Sequence, residues 1–320
     1  MNPTDKLTSL SSKRGGTLYV GTHPNKFHLD EVTALALIKR HYKGPMEVVR
    51  SRSWNDLKDC QLVVDVGNKN ETADDHVYFD HHEALNKREE YKNGVKYAAC
   101  GKLAEWLYDE DAYKPWLAFL LDEYLYTVQA IDNGQNYKAL NLCPPIFQVT
   151  PLMNPTAIEN SNDDSMQKEL FNQTVDMVTT ILDRLYAKHI LIRNTRFLFE
   201  NEIVKYKKDG ILVLSSPPDM ALVEQYNSIV EPEAVVRLVV FPDFAFAKYK
   251  VHAVNRDDGS NEAFLRLPKA WRGLKGKDLS SKSNIGNGYI VATNGFFGTW
   301  RTLESAMQAA RKAIKLGEVD

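Results

Sequence analysis

The sequence predicts an α/β protein of two domains, and three observations predict it. First, short apolar runs rich in valine (TLYVG at 17–21, MEVVR at 46–50, QLVVDV at 61–66, VYF at 77–79) alternate with helical patterns through the first half. That alternation is the mark of a largely parallel sheet flanked by helices. Second, 320 residues make two domains the natural count. Third, the texture changes near residue 195, where β-like runs appear at 197–206, 211–215, 235–241 and 248–254.

Residues 1–16 (MNPTDKLTSLSSKRGG) read as a flexible N-terminus and lack the apolar core of a secretory signal. After the first strand, a helix is expected over 30–42, with Val32, Leu35 and Ala36 at helical spacing and Asp30 and Glu31 in its first turn. Helices are also expected over 97–109 and 115–131. The second carries Trp116, Leu120, Tyr124, Val128 and Ile131 along one side and stops at Asn133-Gly134. Four prolines (Pro144, Pro145, Pro151, Pro155) make 141–162 a loop. A long helix follows over 163–188, then the β-like runs, a basic Gly-rich stretch at 256–288, and a last helix at 301–315. The expected organisation is a catalytic domain at 17–162, a helical connector at 163–194 and a smaller α/β substrate-binding domain at 195–320.

Composition narrows the function. With 43% hydrophobic and 26% charged residues the chain is neither disordered nor fibrous. A net charge of −2 excludes a generic polycation that coats nucleic acid, so any nucleic-acid site is a local patch. No apolar run is long enough to span a bilayer, and no membrane partner is expected. Cys60, Cys100 and Cys143 are widely spaced, which suggests buried thiols rather than disulfides or a thiolate zinc site.

The informative residues sit at the ends of predicted strands. His23 follows the first strand, and His28 and Asp30 lie where the first helix begins. Asp65 closes LVVDV, and Asp80-His81-His82 follows VYF directly. Carboxyl ends of strands are where open α/β sheets bind ligands. Asp132 ends a helix, where the macrodipole disfavours a negative charge, so a bound cation would compensate it. Taken singly, each residue reads as a cap or a surface group. As an ordered set without thiolates, they suit Mn²⁺, Mg²⁺ or Fe better than structural zinc. Two divalent ions sharing a carboxylate clamp a phosphate for in-line attack.

At these residues the chain resembles the DHH phosphoesterase superfamily, named for a triplet like Asp80-His81-His82. Its other motifs resemble His23…His28-Leu29-Asp30, Val63-Val64-Asp65-Val66-Gly67 and Ile131-Asp132-Asn133-Gly134. Within it, GTHPNKFHLDE at 21–31, YAACGKLAEW at 97–106 and LRLPKAWRGL at 265–274 are similar to the Myg (melanocyte-proliferating-gene) type exonuclease family. The resemblance implies a DHH-type domain and a substrate-binding domain around a cleft, with two Mn²⁺- or Mg²⁺-type ions. By that analogy His23, His28 and Asp65 hold one ion. Asp30, Asp65, His81 and Asp132 hold the other, Asp80 orients a ligand, and His82 lies near the scissile phosphate. The implied activity is 3′–5′ exonuclease, chiefly on RNA. The implied compartment is mitochondrial or nuclear for a eukaryotic chain, and a bacterial or viral one would be cytoplasmic.

The chain departs from that family near its C-terminus. It reads Tyr289-Ile290-Val291-Ala292 where the family has Phe-Val-His-Ala, and Gly298-Thr299-Trp300-Arg301 where Gly-Gly-His precedes Arg. These changes leave the metal ligands intact and fall where substrate is expected. The stretch 248–282 holds nine Lys/Arg against four Asp/Glu, with Tyr249, Phe264 and Trp271 interleaved. Such a mixture suits a single-stranded backbone with stacked bases. Arg272, Arg301 and Gly298 are the candidate substrate contacts, Arg301 because it opens the last predicted helix. The expectation is a two-metal phosphodiesterase acting on single-stranded RNA, DNA or short oligonucleotides. The alternatives are a phosphohydrolase of pyrophosphate, dinucleotides or cyclic dinucleotides, and a non-catalytic RNA-binding protein that keeps a metal.

Overall fold

A computed structural model describes residues 1–82, 89–142, 153–154, 164–206, 210–227, 235–256 and 262–317. The chain divides into two compact units, Met1–Ala187 and Lys188–Asp320. Both are mixed α/β, each with its own five-stranded sheet.

In the first unit the strands are β1 (Leu18–Thr22), β2 (Met46–Arg50), β3 (Leu62–Val64), β4 (Glu71–Thr72) and β5 (Val77–Phe79). They lie in the order β2-β1-β3-β5-β4, parallel except for β4. The order reverses at β1, with β2 on one side and β3 on the other. A crevice therefore opens at the carboxyl ends of β1 and β3, the switch point of the sheet. Alternation along the strands sends Leu18, Val20, Leu62, Val64 and Val77 into the larger core. Val63 and Tyr78 face the other way, against Leu57 and Cys60.

Helix α1 (Pro3–Ser12) occupies the segment expected to be flexible. Asn2 caps it by accepting from the Asp5 amide at 2.9 Å, Pro3 sits in its first turn, and Leu7 and Leu10 are buried in the main core. Those two leucines were the overlooked signal, since apolar side chains three apart give even a short helix a face to bury.

Helix α2 (Leu29–His41) is buried at every position from Leu29 to Ile38. It runs between the sheet, α1, α4 (Ala99–Leu107) and α6 (Tyr126–Asp132). The short helix α3 (Trp54–Leu57) covers the opposite face of the sheet. The single helix expected at 115–131 is α5 (Lys114–Leu120), a π-helical turn (Leu121–Leu125) and α6. The wider turn resets the helical phase just before the segment that delivers Asp132. Gly101 on α4 is required by packing, because a Cβ there would collide with the Gln129 side chain. Gln129 Oε1 in turn accepts from the Ala98 amide at 3.0 Å, which ties α6 to the start of α4.

Helix α7 spans Asp164–Tyr206. The strand expected at 197–206 is its last part. No Gly or Pro interrupts 164–206, and extending an existing helix is far easier than nucleating a strand beside it. The division between the units falls inside this helix. The expected loop at 141–162, with its prolines and Cys143, lies almost wholly outside the described residues.

The second unit contains β6 (Ile211–Val213), α8 (Met220–Asn227), β7 (Leu238–Asp243), β8 (Lys248–Ala253), α9 (Gly276–Ser283), β9 (Gly288–Val291), β10 (Phe297–Trp300) and α10 (Leu303–Leu316). The sheet order is β6-β7-β8-β10-β9, with β6 and β7 parallel and the remaining pairs antiparallel. Helix α10 lays Ala306, Ala309, Ala310 and Ala313 against Leu238, Val240, Val251 and Trp300. Thr302 caps it by accepting from the Ser305 amide, and Gly317 ends it in the left-handed conformation. Arg301 therefore precedes the cap instead of opening the helix.

Candidate metal centre

Three strands deliver the chemistry. Just after β1, the backbone oxygens of His23 and Asn25 are held by the Arg50 guanidinium, at 3.2 and 2.5 Å. His23 Nδ1 lies 3.0 Å from the Pro24 carbonyl oxygen, so the proton belongs on Nδ1 and Nε2 is left to bind. His23 Nε2 is 2.8 Å from Glu31 Oε1 and 3.4 Å from Asp65 Oδ2. His28 opens α2, is exposed, and its ring centroid is 5.1 Å from that of His23.

Asp65 follows β3 with φ +59°, a left-handed conformation uncommon for a residue with a side chain. Strain of this kind costs on the order of 1–3 kcal/mol and is kept where it aims a functional group. Here it sets one carboxylate between two histidines. Oδ2 faces His23, while Oδ1 is 3.1 Å from His81 Nε2.

Asp80, after β5, is fully engaged. Oδ2 accepts from the Asn68 amide at 2.6 Å. Oδ1 accepts from the amides of His81 and His82 at 2.7 and 3.1 Å, and meets His82 Nδ1 at 2.7 Å. Asp80 thus fixes the backbone of the histidine pair and leaves His82 Nε2 as the nitrogen open to the pocket. Lys102 on α4 braces the same turn through the Asp80 carbonyl oxygen at 3.1 Å.

His81 Nε2 also lies 2.9 Å from Asp132 Oδ2 and 3.9 Å from Asp30 Oδ2. Asp132 ends α6, held in place by Asn133, whose Nδ2 donates to the carbonyl oxygens of Lys96 and Tyr97. Asp30 is wholly buried and accepts from the Ala99 and Cys100 amides at 3.0 and 2.7 Å. It occupies the N-terminus of α4, where free amides and the dipole favour an anion.

The ligand atoms gather into three sets: His23, His28, Glu31 and Asp65; Asp65, His81 and His82; and Asp30, His81 and Asp132. Within each set they lie within 4.8 Å of one another. Glu31 was not among the ligands expected from sequence. It is fully buried, and Oε1 accepts from the His28 amide at 2.8 Å. Its place beside Asp30 in the FHLDE run was the available signal, masked by its reading as an ordinary first-turn acid.

Two observations show that the donor set fits cations. Glu31 Oε2 is buried beside His23 without a hydrogen-bond partner, which native interiors rarely tolerate. The titration behaviour agrees. Burial disfavours charge on His23, but hydrogen bonds to Asp65 and Glu31 outweigh it and raise its pKa to about 10. His81 is lifted against burial to about 11 by Asp132 and Asp65. Burial, and then the neighbouring Asp65 and Asp132, push Asp30 well above the usual carboxylate range. Carboxylates crowded this closely hold protons on their neighbours until divalent cations replace them. The site therefore takes divalent metal.

His23, His28, Asp65, Asp80 and His82 line part of a pocket of about 710 Å³. The expected substrate contacts belong to the second unit. Arg272 Nε donates to the Leu267 carbonyl oxygen at 2.9 Å. Gly298 is buried on β10, where a Cβ would lie 2.8 Å from the Trp300 ring and 2.9 Å from Leu267 Cδ1, so packing alone explains a glycine there. Arg301 is exposed, with its guanidinium carbon 6.0 Å from the Tyr289 ring centroid.

The sequence model of the MYG1_exonuc family, described as "Uncharacterised protein family (UPF0160)", matches residues 19–314. The chain belongs to this family. Its MYG1 relatives are similar over nearly the whole length. "MYG1 protein C27H6.8" of Caenorhabditis elegans is 26% identical, covering 94% of this chain and 96% of that protein. "MYG1 exonuclease" of Mus musculus is 27% identical, covering 92% and 84%. Among solved structures, RecJ of Thermus thermophilus in complex with Mn²⁺ matches 99% of this chain and 55% of its own, at 13% identity and a TM-score of 0.27. Membership of the MYG1 family and the ligand cluster together make the chain a metal-dependent phosphoester hydrolase. No helix among the described residues is long and apolar enough to cross a membrane.

Proposed function

We propose that the chain is a two-metal 3′–5′ exonuclease that acts on single-stranded nucleic acid, RNA foremost, with Mn²⁺ as its working ion. The observation that carries the reading is the placement of Asp65. Its two oxygens face different histidines, His23 and His81, each the centre of its own ligand cluster. One site forms from His23, His28 and Asp65 with Glu31, and the other from Asp30, Asp65, His81 and Asp132. Divalent ions there would supply Lewis-acid neutralisation of the phosphate oxygens and an acidified water.

The protein's own groups do the rest. Asp65 spans both sites and fixes their spacing through its constrained backbone. Asp80 holds the backbone of His81 and His82 and keeps His82 Nε2 toward the pocket, where it donates a hydrogen bond to a phosphate oxygen. The α4 N-terminus holds Asp30 rigid. The exonuclease reading is supported by the name of the mouse relative, "MYG1 exonuclease". Arg272 and Arg301 remain the second unit's proposed contacts to the strand.

Cleavage of a 5′-labelled single-stranded RNA with Mn²⁺ tests this reading. The expected result is a ladder shortening from the 3′ end, lost on chelation and absent in Asp65→Ala/His81→Ala. Intact RNA with folded, Mn²⁺-loaded protein would contradict it.

A further inference from the structure

The pocket lined by His23, His28, Asp65 and His82 has a second, cationic wall. Lys26 lies in the loop after β1, Arg52 in the loop after β2, and Lys69 in the loop after β3; all three line the pocket. These loops leave the carboxyl ends of three adjacent strands, so the sheet order gathers cations far apart in sequence. Neighbouring cations have partners, Arg50 on the loop carbonyls and Lys102 on the Asp80 carbonyl. Lys26, Arg52 and Lys69 make no ion pair among the described residues. The Lys69 ammonium instead rests 3.6 Å from the ring centroid of Trp54, another lining residue.

Lys26 and Arg52 are exposed and Lys69 is half-buried, so solvent screens their repulsion, but together they give this wall a positive potential that attracts an anion. The carboxylates nearby cannot serve, because they belong to the metal centre. A pocket of about 710 Å³ has room for a nucleotide-sized ligand.

We propose that Lys26, Arg52 and Lys69 form a phosphate subsite for the phosphate next to the scissile one. The preferred substrate therefore carries at least two phosphates, as an oligonucleotide or a 5′-phosphorylated dinucleotide does. Lys69 turns from Trp54 toward that phosphate when substrate binds. The proposal rests on the phosphodiesterase reading of the metal centre and adds a selection that the metal ions alone do not make.

The test compares a 5′-phosphorylated dinucleotide with the same dinucleotide lacking that phosphate, using the full Mn²⁺-loaded protein. The wild type should favour the phosphorylated form by about 10- to 100-fold in kcat/KM, the range expected for charge-assisted phosphate contacts. In Lys26→Gln/Arg52→Gln/Lys69→Gln, shown to be folded by circular dichroism, that ratio should collapse to near one. A wild-type ratio near one, or a ratio that survives the triple substitution, overturns the subsite. If the wild type cleaves neither dinucleotide, cleavage of the longer single-stranded RNA decides the phosphodiesterase reading separately, and binding judges the subsite. Tryptophan emission should then change with the phosphorylated dinucleotide only, and not in Trp54→Phe. No change in the wild type overturns the proposal.

Discussion

The two units place their expected site residues differently. In the first, Asp30, Glu31, Asp65 and His81 are buried together, Glu31 with an unpartnered carboxylate oxygen and Asp65 with a strained backbone. In the second, Arg272 braces a backbone carbonyl, Gly298 relieves packing under Trp300, and Arg301 lies exposed beside Tyr289. The first unit gathers its candidate ligand atoms into one place, whereas in the second Gly298 is explained by packing alone. The difference teaches that chemistry is legible where a fold tolerates features that stability would remove.

The sharpest way to break that contrast is to neutralise Asp65. Asp65→Asn should lower Mn²⁺-dependent kcat by about 10³-fold or more, because shared neutralisation of the phosphate oxygens is worth several kcal/mol. Activity near wild type in a steady-state assay would mean that Asp65 is not shared. A second prediction concerns pH. His23 and His81 stay protonated to about 10 and 11 without metal, held there against burial by Asp65, Glu31 and Asp132. Both values exceed the unfolded 6.5, so this contribution to metal-free stability is complete below pH 6.5 and is lost as pH rises through 10 to 11. Metal must displace these protons. Apparent Mn²⁺ affinity should therefore rise by at least about tenfold per pH unit near neutrality. Calorimetry in buffers of different ionisation enthalpy should show more than one proton released.

Glu31→Gln should weaken Mn²⁺ binding by about 10- to 100-fold, the scale for groups that hold or orient ligands. An unchanged titration would demote Glu31 to a backbone brace for His28. In the second unit the expected effects are on stability. Gly298→Ala should cost about 1–3 kcal/mol through overpacking against Trp300 and Leu267, seen as a lower denaturation midpoint with Mn²⁺ stoichiometry unchanged. Thr302→Ala should cost less, about 1 kcal/mol, by removing the cap of α10.

Much of the first unit was legible because its signals are local. Valine-rich strands and loop residues at their ends placed His23, Asp65 and Asp80-His81-His82 near a common sheet edge; in the structure Asp65 shares one group of candidate ligand atoms with His23 and another with His81 and His82. Glu31 was missed because its burial comes from helices arriving later in the chain. Helix α1 was missed because its leucines matter only once a core exists to receive them. The run at 197–206 misled because alternation in a short window cannot show that a helix is already under way. Strands β9 and β10 lie between the Gly-rich stretch and the last helix, where no element was expected, although the Asn294-Gly295 pair between them is a hairpin signal. The cationic wall was not visible at all, since Lys26, Arg52 and Lys69 meet only through sheet order.

The most direct test of the central claim is an anomalous difference map from crystals grown with Mn²⁺. Two peaks flanking Asp65, one beside His23, His28 and Glu31 and one beside Asp30, His81 and Asp132, are the predicted result. A single peak, or manganese bound away from Asp65, would contradict it.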